Sequence, residues 1–333
     1  MMSAPKPLVS VIIPVYNGDR YIAQAIESIL AQTYTNYEII VIDDGSTDNT
    51  RDRLQPYWHQ IRYFYQENQG VAAARNRGIS ESNGELVAFL DQDDFFLPHK
   101  LEVQVAGWDA NPLLAIVNSG WRVVDLDGRE ISDPEIWRNF PHLTVEDWII
   151  WKPVFIGAML FEREWLARVG SFDTRLSQTP DIDLALRLVV TGCQSAWVAQ
   201  STVCYRQHDR NASRDVLAQA KELEIVLDRL FSHPNLTPEI GSLERRSRYQ
   251  SLVWSAAKLY HHGDESGTIH YLEKSADYSP YCFTEMVLDW LYQFRDYALA
   301  YGHQFDTYAL SSSRGWIKLM NSLLCTAPTF AQT

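Results

Sequence analysis

The sequence lacks a basic field. Its 29 Lys and Arg face 42 Asp and Glu, a net charge of −13, whereas a protein that neutralises nucleic-acid phosphates needs the opposite balance. That excludes a nucleic-acid partner but not a single nucleotide, whose phosphates one metal ion and one or two arginines handle locally. Cysteine is scarce. Cys193, Cys204, Cys282 and Cys325 are scattered, with no CxxC pair and no zinc spacing, which reads as reduced, partly buried thiols of a cytoplasmic protein. Long hydrophobic runs are missing as well: no stretch reaches the roughly 20 apolar residues that span a bilayer. The N-terminal MMSAPKPLVS lacks the charged-then-apolar layout of a signal peptide. Work at a membrane would be peripheral, at its inner face, and Trp316 to Leu324 is the stretch that such a contact singles out.

What is present suits a globular chain of two parts: 333 residues, 46% of them apolar and 21% charged. The first half alternates β-branched runs with helical spacing. Val9 to Val15, Glu38 to Ile42, Ile61 to Tyr65 and Leu86 to Leu90 read as strands, and Ile22 to Leu30 and Gly70 to Ser80 as helices. Such alternation predicts βαβ units and an α/β fold with a mostly parallel sheet flanked by helices. Three of these strands end in polar or acidic clusters, Tyr16-Asn17, Asp43-Asp44 and Asp91 to Asp94. Ligands bind beyond the carboxyl ends of such strands, so the three clusters are expected around one crevice. Farther on, Ala115 to Ser119 reads as a strand, Trp121 to Ile131 as a hairpin turning at Asp127-Gly128, and Pro153 to Phe161 as a further strand. Asp181 to Val190 reads as a helix and Ala196 to Arg206 as a last strand. From about residue 214 the pattern is helical throughout, with Ser251 to Pro280 resembling one helix–turn–helix repeat unit around Gly263. The expected division is 1–213, in two halves at 1–110 and 111–213, then an all-helical region at 214–333.

The acidic clusters carry the chemistry. Asp91-Gln92-Asp93-Asp94 follows an apolar strand, where several carboxylates are costly unless a cation compensates them. Carboxylate oxygens suit Mg²⁺ or Mn²⁺, which also bind diphosphate oxygens; the bland alternative is a solvated acidic turn. Asp43 and Asp44 can accept hydrogen bonds from a base or a ribose, or form an Asx-turn ahead of a helix cap. Tyr16 can stack on a flat base or pack in its turn. Arg75 lies on a helix of small residues, placed to clamp a diphosphate or carboxylate, or to form a surface ion pair.

Taken together, Val9-Ser-Val-Ile-Ile-Pro-Val-Tyr-Asn-Gly18, Ile42-Asp-Asp-Gly-Ser-Thr-Asp48, Asn68-Gln-Gly-Val-Ala-Ala-Ala-Arg-Asn-Arg-Gly78 and Phe89-Leu-Asp-Gln-Asp-Asp94 resemble the family 2 glycosyltransferases of GT-A fold, in order and spacing, over about the first 210 residues. The resemblance implies an inverting transfer from a nucleotide-diphosphate sugar, commonly a UDP-sugar, to a glycan or glycolipid hydroxyl, with divalent Mg²⁺ or Mn²⁺ as cofactor. Pro14, Tyr16, Asp43, Asp44, Arg75, Asp91 and Gln92 are the expected donor-binding set. Within it the likeness assigns the base to Tyr16 and Asp44, the ribose or the metal to Asp91, and the metal directly to Asp93. Tyr205-Arg-Gln-His208 is similar to the family's closing loop, which makes His208 a second candidate metal ligand, against the alternative of a structural histidine.

The family's catalytic base is the Asp of a Glu-Asp pair at a helix start. Aligning Thr179-Pro-Asp-Ile-Asp-Leu-Ala-Leu-Arg187 on its Asp-Leu-X-X-Arg tail places Asp181 at the base position and Pro180 where the family has Glu. Pro is comfortable at a first helical position, so the helix can start there and still present Asp181. The alternative is that Asp181 and Asp183 are helix-start acids favoured by the dipole. Two other functions compete. A nucleotide-sugar-binding scaffold with impaired catalysis would account for Pro180. A sugar nucleotidylyltransferase is disfavoured, because Pro14-Val-Tyr-Asn-Gly18 lacks the glycines and cations that hold a triphosphate. The aromatic residues of the last third, among them Trp254, Tyr260, Tyr271, Trp290, Tyr292 and Tyr297, read as core.

Overall fold

The computed structural model describes residues 6–326 except 112, 209–210 and 212–214. The chain divides into two compact units, Met1–Trp148 with Lys152–His208, and Ile149–Trp151 with Asp209–Thr333.

The first unit is α/β. Its strands are β1 (Val9–Val15), β2 (Tyr37–Asp43), β3 (Ile61–Tyr65), β4 (Leu86–Phe89), β5 (Phe95–Phe96), β6 (Leu114–Val124), β7 (Glu130–Ser132), β8 (Met159–Glu162) and β9 (Gln194–Arg206). Its helices are α1 (Ile22–Leu30), α2 (Thr50–Leu54), α3 (Val71–Glu81), α4 (Lys100–Ala110), α5 (Val145–Ile150), α6 (Arg163–Val169) and α7 (Pro180–Val190). Among the described residues the strands form one nine-stranded sheet, ordered β3-β2-β1-β4-β8-β6-β9-β5, with β7 beside β6. β1 to β4 are mutually parallel; β8 runs against both β4 and β6, and β9 runs parallel to β6. So β1, β2, β3, β4, β6 and β9 point one way, and the sheet is mostly parallel.

β1 is buried at every residue, as a parallel strand covered on both faces must be. Pro14 tolerates this central place because β4 pairs with β1 only as far as Ile12, so the absent N–H falls where β1 has outrun its neighbour. α3 lies close on the sheet: a Cβ on Gly78 would stand 2.3 Å from Ile12 Cγ2. Two strand expectations need correction. Pro153 to Phe161 is not one strand; a turn of 3₁₀ helix covers Ile156–Ala158 and pairing begins only at Met159, where β4 and β6 supply partners. Ala115 to Ser119 and the start of the expected hairpin are instead one continuous strand, β6, with register shifts on either side of Gly120.

The second unit is helical: α8 (Val216–Phe231), α9 (Pro238–Gly241), α10 (Glu244–His261), α11 (Glu265–Ala276), α12 (Phe283–Ala300), α13 (Thr307–Ser311) and α14 (Arg314–Thr326). The turn between α10 and α11 is built on Gly263, at φ +79°, a left-handed conformation that glycine adopts without steric cost. Asp264 then caps α11 through the Gly267 N–H at 2.8 Å. Tyr271 and Trp290 are core as expected, whereas Tyr292 is 54% exposed. In α14, Trp316 and Leu319 face the unit's own core while Ile317 and Leu324 are exposed. Among the described residues no helix is long and apolar enough to cross a membrane.

Candidate active site

The carboxyl ends of β1, β2 and β4 lie side by side, so the three polar clusters share one sheet edge. Gln92 ties two of them. Its side-chain oxygen accepts the Tyr16 N–H at 2.7 Å and its amide donates to the Tyr16 carbonyl at 3.1 Å. Gln92 therefore pins the acidic loop to the end of β1 and leaves Tyr16, 48% exposed, projecting at the edge. Asn17 follows with φ +51°, a region where Asn is over-represented. Its carbonyl oxygen on the side chain accepts the Thr47 N–H at 2.8 Å, locking the β1 and β2 ends together.

Asp43 and Asp44 are both buried. Asp43 accepts the Ser46 N–H at 2.8 Å and the Tyr63 hydroxyl at 2.7 Å. Burial and the nearby Asp43 carboxylate raise the pKa of that tyrosine. Asp44 accepts from Gln66 Nε2 and from the Gln69 and Gly70 N–H groups, at 2.7 to 2.9 Å. A carboxylate has about four acceptor positions, so Asp44 keeps roughly one for a ligand after fixing the loop that leads into α3.

Arg75 sits in the buried face of α3, 5% exposed, and its Nη2 donates to Asp91 Oδ1 at 2.6 Å. Its guanidinium lies 5.4 Å from the Phe172 ring centre, and its Nε is buried without a hydrogen-bond acceptor among the described residues. Asp91 is thus neutralised by an arginine, while Asp93 is turned another way. Asp93 Oδ2 meets His208 Nε2 at 2.7 Å. Asp94, 3% exposed, accepts the Arg206 N–H at 2.8 Å. Burial, and then the charges of Asp93 and Asp91, hold the Asp94 carboxyl well above the usual carboxylate range.

α7 starts at Pro180 itself, with Asp181 and Asp183 in its first turn. The two acids differ in their partners. Asp183 is paired with Arg187, at 2.8 Å to Nε and 2.7 Å to Nη2, and Arg187 also donates to the Val169 and Ser171 carbonyls. That is an anchor for the segment before α7. Asp181, partly exposed, accepts the Ile182 N–H at 2.9 Å; burial raises its pKa above the ordinary 3.8, opposed by the positive charge of Arg75. A carboxylate shifted upward is a stronger proton acceptor than an ordinary one.

A sequence model of glycosyl transferase family 2 matches residues 10–170. A glycosyltransferase of Rickettsia typhi is 34% identical over 224 residues, 66% of this chain and 70% of that protein. The chain belongs to glycosyl transferase family 2. The chondroitin synthase of Escherichia coli is 31% identical over 221 residues, and there the match spans 65% of this chain but only 31% of the relative. Two solved structures share the glycosyltransferase's fold. S. aureus TarS in complex with UDP-GlcNAc superposes with a TM-score of 0.66 over 95% of this chain and 91% of its own, at 14% identity. The mannosyltransferase PcManGT of Pyrobaculum calidifontis, in complex with GDP-Man and Mn²⁺, gives 0.62 over 98% and 89%, at 19% identity. Both confirm the GT-A architecture of a mostly parallel sheet followed by a helical region.

In this glycosyltransferase the donor set that fits a divalent cation is small. Asp93 and His208 offer one carboxylate oxygen and one imidazole nitrogen, and no group of three or more His, Cys, Asp or Glu able to hold a metal occurs among the described residues. One carboxylate and one imidazole, with the remainder left to water and phosphate oxygens, fit Mn²⁺ better than the strictly oxygen-preferring Mg²⁺. Sequence reading missed Arg206, Tyr21 and Gln24. Arg206 is 1% exposed and donates to the Asp93 carbonyl at 2.9 Å and to Gln24 Oε1 at 2.7 Å; no period or spacing marks a buried arginine at a strand end.

Proposed function

We propose that this glycosyltransferase transfers a sugar with inversion from a nucleotide-diphosphate donor, a UDP-sugar in the first instance, to an acceptor hydroxyl on a glycan or glycolipid. The observation that carries the reading is the convergence of Asp93 and His208, 115 residues apart in sequence and 2.7 Å apart in space, beside the Arg75–Asp91 pair. TarS with UDP-GlcNAc and PcManGT with GDP-Man and Mn²⁺ support a nucleotide-sugar donor and a divalent metal. The chondroitin synthase relative supports a polysaccharide-type acceptor.

Tyr16 stacks on the base, and Asp43 and Asp44 hold the loops that frame it. Arg75 keeps Asp91 oriented, Asp91 faces the ribose, and Asp93 with His208 would hold Mg²⁺ or Mn²⁺. When bound, the cation supplies charge compensation for the departing diphosphate. Asp181 takes the proton from the acceptor hydroxyl as its oxygen forms the new bond to the anomeric carbon. The bond from that carbon to the diphosphate breaks on the opposite side, and the electron pair leaves with the nucleoside diphosphate. Pro180 replaces the family's Glu without displacing Asp181 from the helix start, which supports retained catalysis.

A thermal-shift panel of UDP, GDP and their sugars, with and without Mn²⁺, tests the reading. The expected result is a Mn²⁺-dependent rise with one base, since a ligand that binds only the folded state stabilises it by mass action. No shift with any of them would favour a scaffold protein.

A further inference from the structure

We propose that Arg206 is a positioning residue: its buried guanidinium sets the facing and separation of Asp93 and His208. The inference rests on the reading of those two side chains as the cation site. Burying a guanidinium is unfavourable unless its donors are satisfied, and those of Arg206 reach three separate segments of the first unit. Nε donates to the carbonyl of Asp93 at 2.9 Å. Nη1 donates to the carbonyls of Asp125 and Leu126, at 3.2 and 2.8 Å, in the turn between β6 and β7. Nη2 donates to Gln24 of α1 at 2.7 Å. The main-chain N–H of the same residue holds Asp94 at 2.8 Å.

The plane of the guanidinium is used as well. It lies 4.6 Å from the Tyr21 ring centre and 5.3 Å from that of Phe95, and the Tyr21 ring stands 5.5 Å from the imidazole of His208. Arg206 thus fixes the backbone of one candidate ligand directly. It fixes the other both through Tyr21 and through the chain, two residues before His208. Only a planar fork with several fixed donors can span a carbonyl, a turn and a side-chain amide while lying against two rings; a lysine ammonium cannot.

The test measures Mn²⁺ affinity from the EPR signal of the free ion, with Mn²⁺ alone and with UDP or GDP present, alongside the thermal midpoint of each variant. Arg206→Lys is expected to weaken Mn²⁺ binding about 10-fold or more, the range found when residues supporting metal ligands are altered. Gln24 is exposed on α1, so substituting it disturbs the fold less than substituting the buried Arg206. Gln24→Met should weaken Mn²⁺ binding severalfold and lower the midpoint modestly, because a buried guanidinium loses an acceptor, and Gln24→Glu, which keeps an acceptor for Nη2, should restore both. Unchanged Mn²⁺ affinity in Arg206→Lys and Gln24→Met, with Asp93→Ala abolishing binding, overturns the positioning role alone. Wild-type affinity in Asp93→Ala, or no Mn²⁺ binding by the wild type under any of these conditions, overturns the underlying site reading.

Discussion

The carboxylate of Asp93 and the imidazole of His208 lie within hydrogen-bond distance, 2.7 Å, with the histidine side chain 8% exposed and the aspartate 20%. Asp93→Ala removes the oxygen donor and is expected to abolish the Mn²⁺-dependent part of nucleotide binding. His208→Ala should weaken it by about 10- to 100-fold, by analogy with the effect of disturbing a metal's immediate support. Calorimetric titration of the nucleotide that gives the largest thermal shift, with and without Mn²⁺, reads both. Metal-dependent binding at full strength in Asp93→Ala would sink the assignment.

Asp181 and Asp183 stand two residues apart and should respond oppositely. Asp181→Asn is expected to lower kcat by about 10²- to 10⁴-fold, the usual contribution of a general base, while donor binding persists. Asp183→Asn breaks the Arg187 anchor and should cost about 2 kcal/mol of stability, the scale of a charged hydrogen bond, seen as a lower urea midpoint with activity retained by the folded fraction. Reversed phenotypes would move the base to Asp183.

The pH dependence follows from the same group. The pKa of Asp181 is raised above 3.8, chiefly by burial, and the base works only when ionised. Activity should therefore fall as pH drops through a value above 3.8, and that acid limb should vanish from the residual activity of Asp181→Asn. A pH–kcat profile of both proteins decides it.

Lys100 is fully buried, with its ammonium donating to Gln104 Oε1 at 2.7 Å, and burial drives its pKa well below 10.5. The folded state therefore holds this proton less tightly than the unfolded chain, so stability rises with pH from the depressed value up towards 10.5. Lys100→Met removes the penalty. Its stability should equal or exceed that of wild type at neutral pH, with the difference shrinking as pH approaches 10.5. Denaturant melts at several pH values test this; a strongly destabilised Lys100→Met would overturn it.

Gly78→Ala is expected to destabilise the first unit by about 1–3 kcal/mol, the usual cost of overpacking. The added methyl would meet Ile12 Cγ2 at 2.3 Å, so α3 must lift from β1. Because Arg75 lies one turn earlier on the same helix, the Arg75–Asp91 pair should loosen too, lowering donor affinity along with the melting temperature.

Much of this was legible before any coordinates. β1 and α1 fall where hydrophobic period places them, since a fully buried parallel strand and an amphipathic helix each write a local signature. The Gly263 turn announced itself through the one residue type that takes positive φ freely. Pro153 to Phe161 misled because an apolar run only states that its residues will be buried, not whether a neighbouring strand is available to pair with them.

The candidate site divides along the same line. That Asp43-Asp44 and Asp91 to Asp94 would end strands on one edge of the sheet followed from the alternation of elements, because connections in a parallel sheet leave all carboxyl ends on one edge. The different partners of Asp91 and Asp93, and of Asp181 and Asp183, did not follow from that pattern. Chemically identical side chains acquire different roles only from their partners, here Arg75, His208 and Arg187. Those partners are supplied by packing between segments distant in the chain, and so is the buried Arg206, whose importance comes entirely from the carbonyls and rings that the fold gathers around it.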